Sequence, residues 1–395
     1  MLKSSVGYSI NSDDFLKGQE TAKIALKNTS QEKIALVYTS EKDNIKEIIK
    51  GIRSVSKIPI IGSTSSSGII VPDGVISSPD GFLGMLAMTD KDMTVGLASH
   101  EAGKDARAIG RKVAIQAVED AKTTRAPAYF YMVCSPKEEE DYLMGIQDVI
   151  GRVPMFGGSA ADDKIENKWK IICNDNVISD GVAVAFFYTD NEIITSFTSN
   201  YQETDNMGII TEVKDNRTIV SIDSISALRK YANWIKKSPS CLVGKKLLEV
   251  SATKPLGIKD PLGNLTVIRQ PMIGNDMGTK TTVDDTITLG NKVVPKTAII
   301  QLEAREDDLI NATGNTLKHL KSQMYNKPAA YILIHSAPRM NAVKERITEI
   351  YKQIIKETKD VPFIMPFTFG EYGYDDHSAN ICGGLMLSFT SFCEK

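Results

Sequence analysis

The chain has 395 residues, 42% of them apolar and 24% charged, enough to bury two domains or one large α/β unit. Against 47 Lys and Arg stand 49 Asp and Glu, mixed along the chain, so no field exists to hold nucleic acid or an anionic membrane. The five cysteines (Cys134, Cys173, Cys241, Cys382, Cys393) are odd in number and contain no C-x-x-C, which excludes a disulfide framework and a structural zinc site and reads as reduced, mostly buried thiols.

The N-terminal MLKSSVGYSI lacks the apolar core of a signal peptide, and no later run approaches a membrane span, so a cytoplasmic chain without membrane insertion is expected. The first apolar run, KIALVYTS, reads as a buried strand ending in Ser40. Ser40 and Asp43 then offer helix-start chemistry, and Ile45, Ile48, Ile49 and Ile52 form one apolar helical stripe. An X-Pro step leads into a second strand, IPIIG, followed by the small-residue loop GSTSSSG. GFLGMLAM and TVGLAS are strands, read as a hairpin across TDKD. GKDARAIGRKVAIQAVEDAKT is a long amphipathic helix.

The plan then recurs. AYFYMVCS ends in Ser135, which with Glu138 makes a capping box, with Pro136 at the first helical position. Leu143, Ile146, Val149 and Ile150 form the stripe, and VPMFGGSAADD is the strand exit. Pro59 follows Ser40, and Pro154 follows Ser135, at the same interval of 19 residues. GVAVAFFY and IITSFTS read as a second hairpin. From about Tyr201 to Pro295 short alternating strands and the helix SISALRKYANWIKK break the pattern. A third copy follows: KTAIIQLEAR and DLINATGNTLKHLKSQ as strand and helix, AYILIHS ending in Ser336, a helix with Ile347, Ile350 and Ile354, VPFIMPFTFGEYG and CGGLMLSF. Internal repetition of this kind predicts an α/β fold of mixed parallel and antiparallel sheets flanked by helices. Two domains are expected, residues 1–200 and 201–395, with the first two repeats packed as one unit.

Ligands of parallel-containing sheets lie beyond the strand ends, where glycine lets backbone approach and consecutive N–H groups hold anions. One pocket at the domain junction is therefore expected from Gly62, Ser63, Thr64, Gly157, Gly158, Ser159, Gly370 and Glu371. The glycine N–H groups with Arg269 or Arg339 would hold a ligand carboxylate, and Asp162 or Glu371 an ammonium group. The same glycines would serve equally as plain turn residues, with Asp162 or Asp163 capping a turn.

FGGSAADD, the upstream G-S-T-S-S-S-G loop, IRQPMIG and the terminal FGEYG resemble the FIST sensory family, whose N-terminal and C-terminal domains would together cover nearly the whole chain. That resemblance implies an intracellular small-ligand sensor for compounds such as amino acids, acting through a separately encoded partner such as a histidine kinase or a chemotaxis protein. One branch of the family binds haem, for which His377 is the best-placed axial ligand here. The chain departs from the family pattern at Ser63, Ile69, Ala337 and Met365. A hydrolase would need Cys134 or Ser135 beside a base, and the four histidines carry no catalytic signature, so no enzyme is expected. GTKTT near Gly278 lacks the upstream glycine and strand of a phosphate-binding loop.

Overall fold

The structure is a computed structural model that describes residues 2–27, 32–259, 265–275, 285–374 and 379–395. The first repeat runs β1 (Lys3–Ser9), α1 (Asp14–Ala25), β2 (Glu32–Thr39), α2 (Ile45–Arg53), β3 (Ile60–Thr64), β4 (Ile69–Val71), β5 (Gly74–Ile76) and β6 (Leu83–Thr89). The second has the same order: β7 (Thr94–Glu101), α3 (Ala106–Ala121), β8 (Tyr129–Cys134), α4 (Glu139–Ile150), β9 (Met155–Ser159), β10 (Ile171–Cys173), β11 (Asn176–Ile178) and β12 (Gly181–Tyr188). The third opens with β13 (Ile193–Thr198) and is then interrupted.

The interruption forms a separate sheet of β14 (Gln202–Lys214), β15 (Thr218–Ile222), β16 (Ile225–Ser226), β17 (Leu256–Lys259), β18 (Thr266–Arg269), β19 (Pro271–Asn275), β20 (Thr286–Leu289) and β21 (Ala298–Glu303). It carries α5 (Ala227–Trp234) and α6 (Lys246–Ser251). The third repeat resumes with α7 (Glu306–Gln323), β22 (Pro328–Ser336), α8 (Ala337–Ala342), α9 (Ile347–Thr358), β23 (Phe363–Thr368), β24 (Glu371–Tyr374), β25 (Asn380–Gly383) and β26 (Leu387–Cys393).

Each repeat owns four strands of one mixed sheet and lends its small hairpin to another. The three orders are β1-β6-β2-β3-β10-β11, β7-β12-β8-β9-β24-β25 and β13-β26-β22-β23-β4-β5. In each, the strand–helix–strand pair is parallel and the other contacts are antiparallel. The alternation of side chains explains the layers. Along β2, Ile34, Leu36 and Tyr38 point to a central core shared with Tyr131, Val133, Ile332 and Ile334, while Ala35 and Val37 point outward to α1 and α2. The second and third sheets do the same toward α3 and α4, and toward α7 and α9. The first two repeats thus share one core, where the hydroxyls of Tyr38 and Tyr131 lie 3.0 Å apart.

Four local expectations are corrected. GFLGMLAM and TVGLAS do not form a hairpin: β6 is already paired by β1 on one edge and β2 on the other, so β7 crosses to β12. By the same logic β13 leaves β12 and joins β26. KTAIIQLEAR is not the opening strand of the third repeat, because β21 pairs with β14 and β17 in the separate sheet. Finally, Ser135 does not cap a helix. Helix α4 starts only at Glu139, and the Ser135 hydroxyl accepts from the Gly181 N–H at 3.1 Å instead.

Candidate functional site

The parallel pairs place all three strand exits at one end of the molecule, where main-chain hydrogen bonds join them in a ring. Ala161 N–H donates to Thr64 O (3.2 Å), Ser66 N–H to Phe367 O (3.1 Å) and Ser159 N–H to Gly370 O (2.9 Å). The glycines permit this approach. A Cβ on Gly157, whose φ is +147°, would lie 1.9 Å from Met132 O, and one on Gly158 would lie 2.7 Å from Gly370 O. Gly62 lies inside β3, where a Cβ would meet Val37 O at 1.8 Å. These positions are fixed by chain-to-chain contact.

Around the ring the side chains divide sharply. Gly158 pairs with Glu371 across β9 and β24, Gly370 and Thr64 join them through the ring, and Arg339 of α8 acts electrostatically on Glu371, whereas the Ser159 hydroxyl turns to Tyr372 and Glu139. Ser63 is buried in β3, opposite Ile171, and its hydroxyl has no partner among the described residues. Asp162 turns to its own loop: its carboxylate accepts from the N–H groups of Lys164 (3.2 Å), Ile165 (2.5 Å), Glu166 (3.1 Å) and Lys168 (2.8 Å). No face remains for an ammonium group. Arg269 sits apart, at the end of β18. His377 lies outside the described residues.

Arg339 is fully buried. Its Nη1 donates to Ser199 O (2.5 Å) and Leu385 O (3.0 Å), and its guanidinium lies 5.0 Å above the Tyr201 ring. Nε and Nη2 have no hydrogen-bond partner among the described residues. Neither do His335 Nε2 and Ser336 Oγ at the end of the neighbouring strand. Glu371, also fully buried, accepts from Met386 N–H (2.7 Å) and the Thr368 hydroxyl (3.1 Å). Burial pushes its carboxyl up to about 8, against the pull of those donors and of Arg339. Burial, reinforced by the Arg339 charge, pulls His335 down to about 3, so its imidazole is neutral. Beside this cluster a cleft of about 380 Å³ is walled by Asp163 and Lys164 of the second exit, Phe369 of the third, Pro338 and Asn341 of α8, and Lys245 and Glu249 near α6.

A second polar network has no counterpart in the sequence reading. Tyr372 Oη lies 2.9 Å from Cys134 Sγ and 2.5 Å from Ser159 Oγ, and the serine donates to Glu139 Oε1 at 3.2 Å. Arg217, from the start of the β15 region, meets Glu139 at 3.0 Å and Glu140 at 3.1 Å. Burial and the neighbouring Glu140 raise the Glu139 carboxyl to about 7, opposed by Arg217. No local pattern signals this network, because its members come from well-separated segments. Burial holds the Cys134 thiol well above its usual range, which disfavours the thiolate.

No histidine lines the cleft beside Arg339, and no group of three or more His, Cys, Asp and Glu side chains placed to hold a metal ion occurs among the described residues. None of the described helices is long and apolar enough to cross a membrane.

The family model for the FIST N domain matches residues 33–225, and that for the FIST C domain residues 227–374. No curated protein matches the chain in sequence. Among solved structures, a cyanuric acid hydrolase aligns over 100% of both chains at 8% identity with a TM-score of 0.32, and that of A. caulinodans likewise with 0.35. PurLQS from Thermotoga maritima aligns over 100% of this chain and 73% of its own at 8% identity, with a TM-score of 0.24. Likeness at this level bears on neither the fold nor the chemistry.

Proposed function

The chain belongs to the FIST family, whose N and C domains it carries in order and which is associated with sensory signal transduction, and on that premise we propose that it is a small-ligand sensor that signals through a separate partner. The observation that carries this reading is Arg339: a buried cation with two N–H groups unpartnered, beside a buried carboxyl and next in the chain to Pro338, which walls a cleft of mixed charge. Orphaned guanidinium donors are costly unless a partner arrives, and a carboxylate is the partner whose geometry they suit. Glu371 complements it for an ammonium group, so an amino acid or similar small zwitterion is the ligand class. Backbone N–H groups of the ring are already spent on the ring itself and contribute shape.

The cleft wall includes Lys245 and Glu249 near α6 of the separate sheet and Pro338 of the third repeat. A ligand seated there would change how the two units meet, and that displacement is what a partner such as a histidine kinase or chemotaxis protein would read. The protein itself is proposed to be non-catalytic and intracellular. Cys134 faces the Tyr372 hydroxyl, which burial keeps protonated, and Ser135 a backbone amide, so neither has a base beside it to take its proton.

Calorimetry against a panel of amino acids and small carboxylates tests the reading. The bound member should bind about ten- to a hundredfold more weakly to Arg339→Gln, the loss of one charge-assisted hydrogen bond. Docking an ammonium beside Glu371 should release a proton near neutral pH, visible as a buffer-dependent binding enthalpy. No saturable binding by any panel member, or equal affinity in Arg339→Gln, would sink the assignment.

A further inference from the structure

Arg269 lies in a different cleft, of about 300 Å³, between α4, the β17–β18 pair and β25. Leu143 and Met144 of α4, Ile258 and Val267 of the separate sheet and Ile381 of β25 make its walls apolar. Two residues of its wall each carry a buried polar atom without a partner. Arg269 Nη1 donates to Ile268 O and Cys382 O, each at 3.2 Å, whereas its buried Nε has no partner among the described residues. Asn380, 7% exposed, donates through Nδ2 to Val153 O at 2.8 Å, and its Oδ1 is likewise unpartnered.

The chemistry of these two atoms defines an occupant. An N–H on a guanidinium calls for an anion, and an amide oxygen calls for a hydroxyl or N–H donor. The walls call for an apolar body, and the volume stands at the small end of ligand pockets. Glu140 also lines the cleft, but Arg217 (3.1 Å) and the Lys292 N–H (2.9 Å) occupy its carboxylate, so it does not oppose an anion as a free charge would.

We propose that this cleft is a second ligand site, independent of the strand-exit cluster, for a small apolar carboxylic acid carrying a hydroxyl near its head group. The carboxylate accepts from Arg269, the hydroxyl donates to Asn380, and the body packs on Leu143, Met144 and Val267. Because its walls come from α4 and from the separate sheet, an occupied cleft holds those two units together beside the Arg217–Glu139 contact.

Calorimetry with 3-phenyllactate as the probe tests this, with 3-phenylpropanoate lacking the hydroxyl and L-phenylalanine carrying an ammonium group instead. Saturable binding of 3-phenyllactate is expected, about fivefold or more tighter than 3-phenylpropanoate. Arg269→Gln should weaken it at least about tenfold, and Met144→Trp, which fills the cleft while leaving the arginine in place, should abolish it. Arg339→Gln should leave it unchanged. The proposal is overturned if 3-phenyllactate does not bind, if only L-phenylalanine does, or if a folded Met144→Trp binds as well as the parent. Loss of binding in Arg339→Gln alone would place the acid at the strand exits and remove it from this cleft.

Discussion

Glu371 couples the strand-exit cluster to pH. Its carboxyl titrates at about 8 in the fold, raised by burial from the ordinary 4.5. Between those values the native state keeps a proton that the unfolded chain has lost, so stability falls as pH rises through that window. Glu139, raised to about 7, adds in the same direction. The urea midpoint should therefore drop between pH 5.5 and pH 8.5, and Glu371→Gln, a neutral isostere, should drop less. An identical pH response in both proteins would mean that Glu371 is ionised in the fold. Sequence pattern locates this residue, since FTFGEYG matches IPIIGSTSSSG and VPMFGGSAADD along the chain, but it cannot assign its role: Gly62 and Gly157 lie within β3 and β9, whereas Glu371 opens β24. Asp162 occupies an equally suggestive place and is consumed by four amides of its own loop. Arg339 and Arg269 look interchangeable in one dimension, yet they lie in separate clusters, because α8 and β18 belong to different units.

At the scale of elements, the repeats were legible because apolar alternation, serine ends and X-Pro entries are local signals. Which strand pairs with which was not. A strand such as Leu83–Thr89 is buried on both faces, and nothing in its composition says that both edges are occupied by β1 and β2. The glycines at the exits carry more of this information than the strands do. Gly157 and Gly74 share a positive φ, +147° and +141°, but only Gly157 has a carbonyl, Met132 O, where its Cβ would fall. Gly74→Ala should therefore cost only the backbone conformation, about 1–3 kcal/mol. Gly157→Ala must also separate β9 from β8, which pairs with it over Phe130–Cys134. Denaturant titration should show Gly157→Ala losing clearly more stability than Gly74→Ala. Equal losses would mean that β9 relaxes without disturbing β8.

For the whole molecule, the exchange of hairpins makes the three repeats one folding problem. The second sheet is completed by β24 and β25 from the third repeat, and the third sheet by β4 and β5 from the first. A fragment of residues 1–200 would leave β9 without its partner β24, and β4 and β13 without β23 and β26. Such exposed apolar edges pair indiscriminately. The separate sheet stands in the opposite relation. Its entry and exit are neighbours, since Gln202 pairs with Glu303 across β14 and β21, which sets their Cα atoms about 5 Å apart. Residues 203–302 can therefore be replaced by a two-residue turn that keeps the ends of β13 and α7 in place, uncovering the small cluster in which Phe197, Leu385 and Met386 pack on Ile268, Ile300 and Leu302. The resulting chain should be monodisperse and unfold in one cooperative transition, whereas the 1–200 fragment should aggregate or lack a transition. Circular dichroism with light scattering distinguishes these results. A soluble, cooperatively folded 1–200 fragment would show that the lent hairpins decorate the sheets without completing them, and the three-repeat core would then be two independent units in contact.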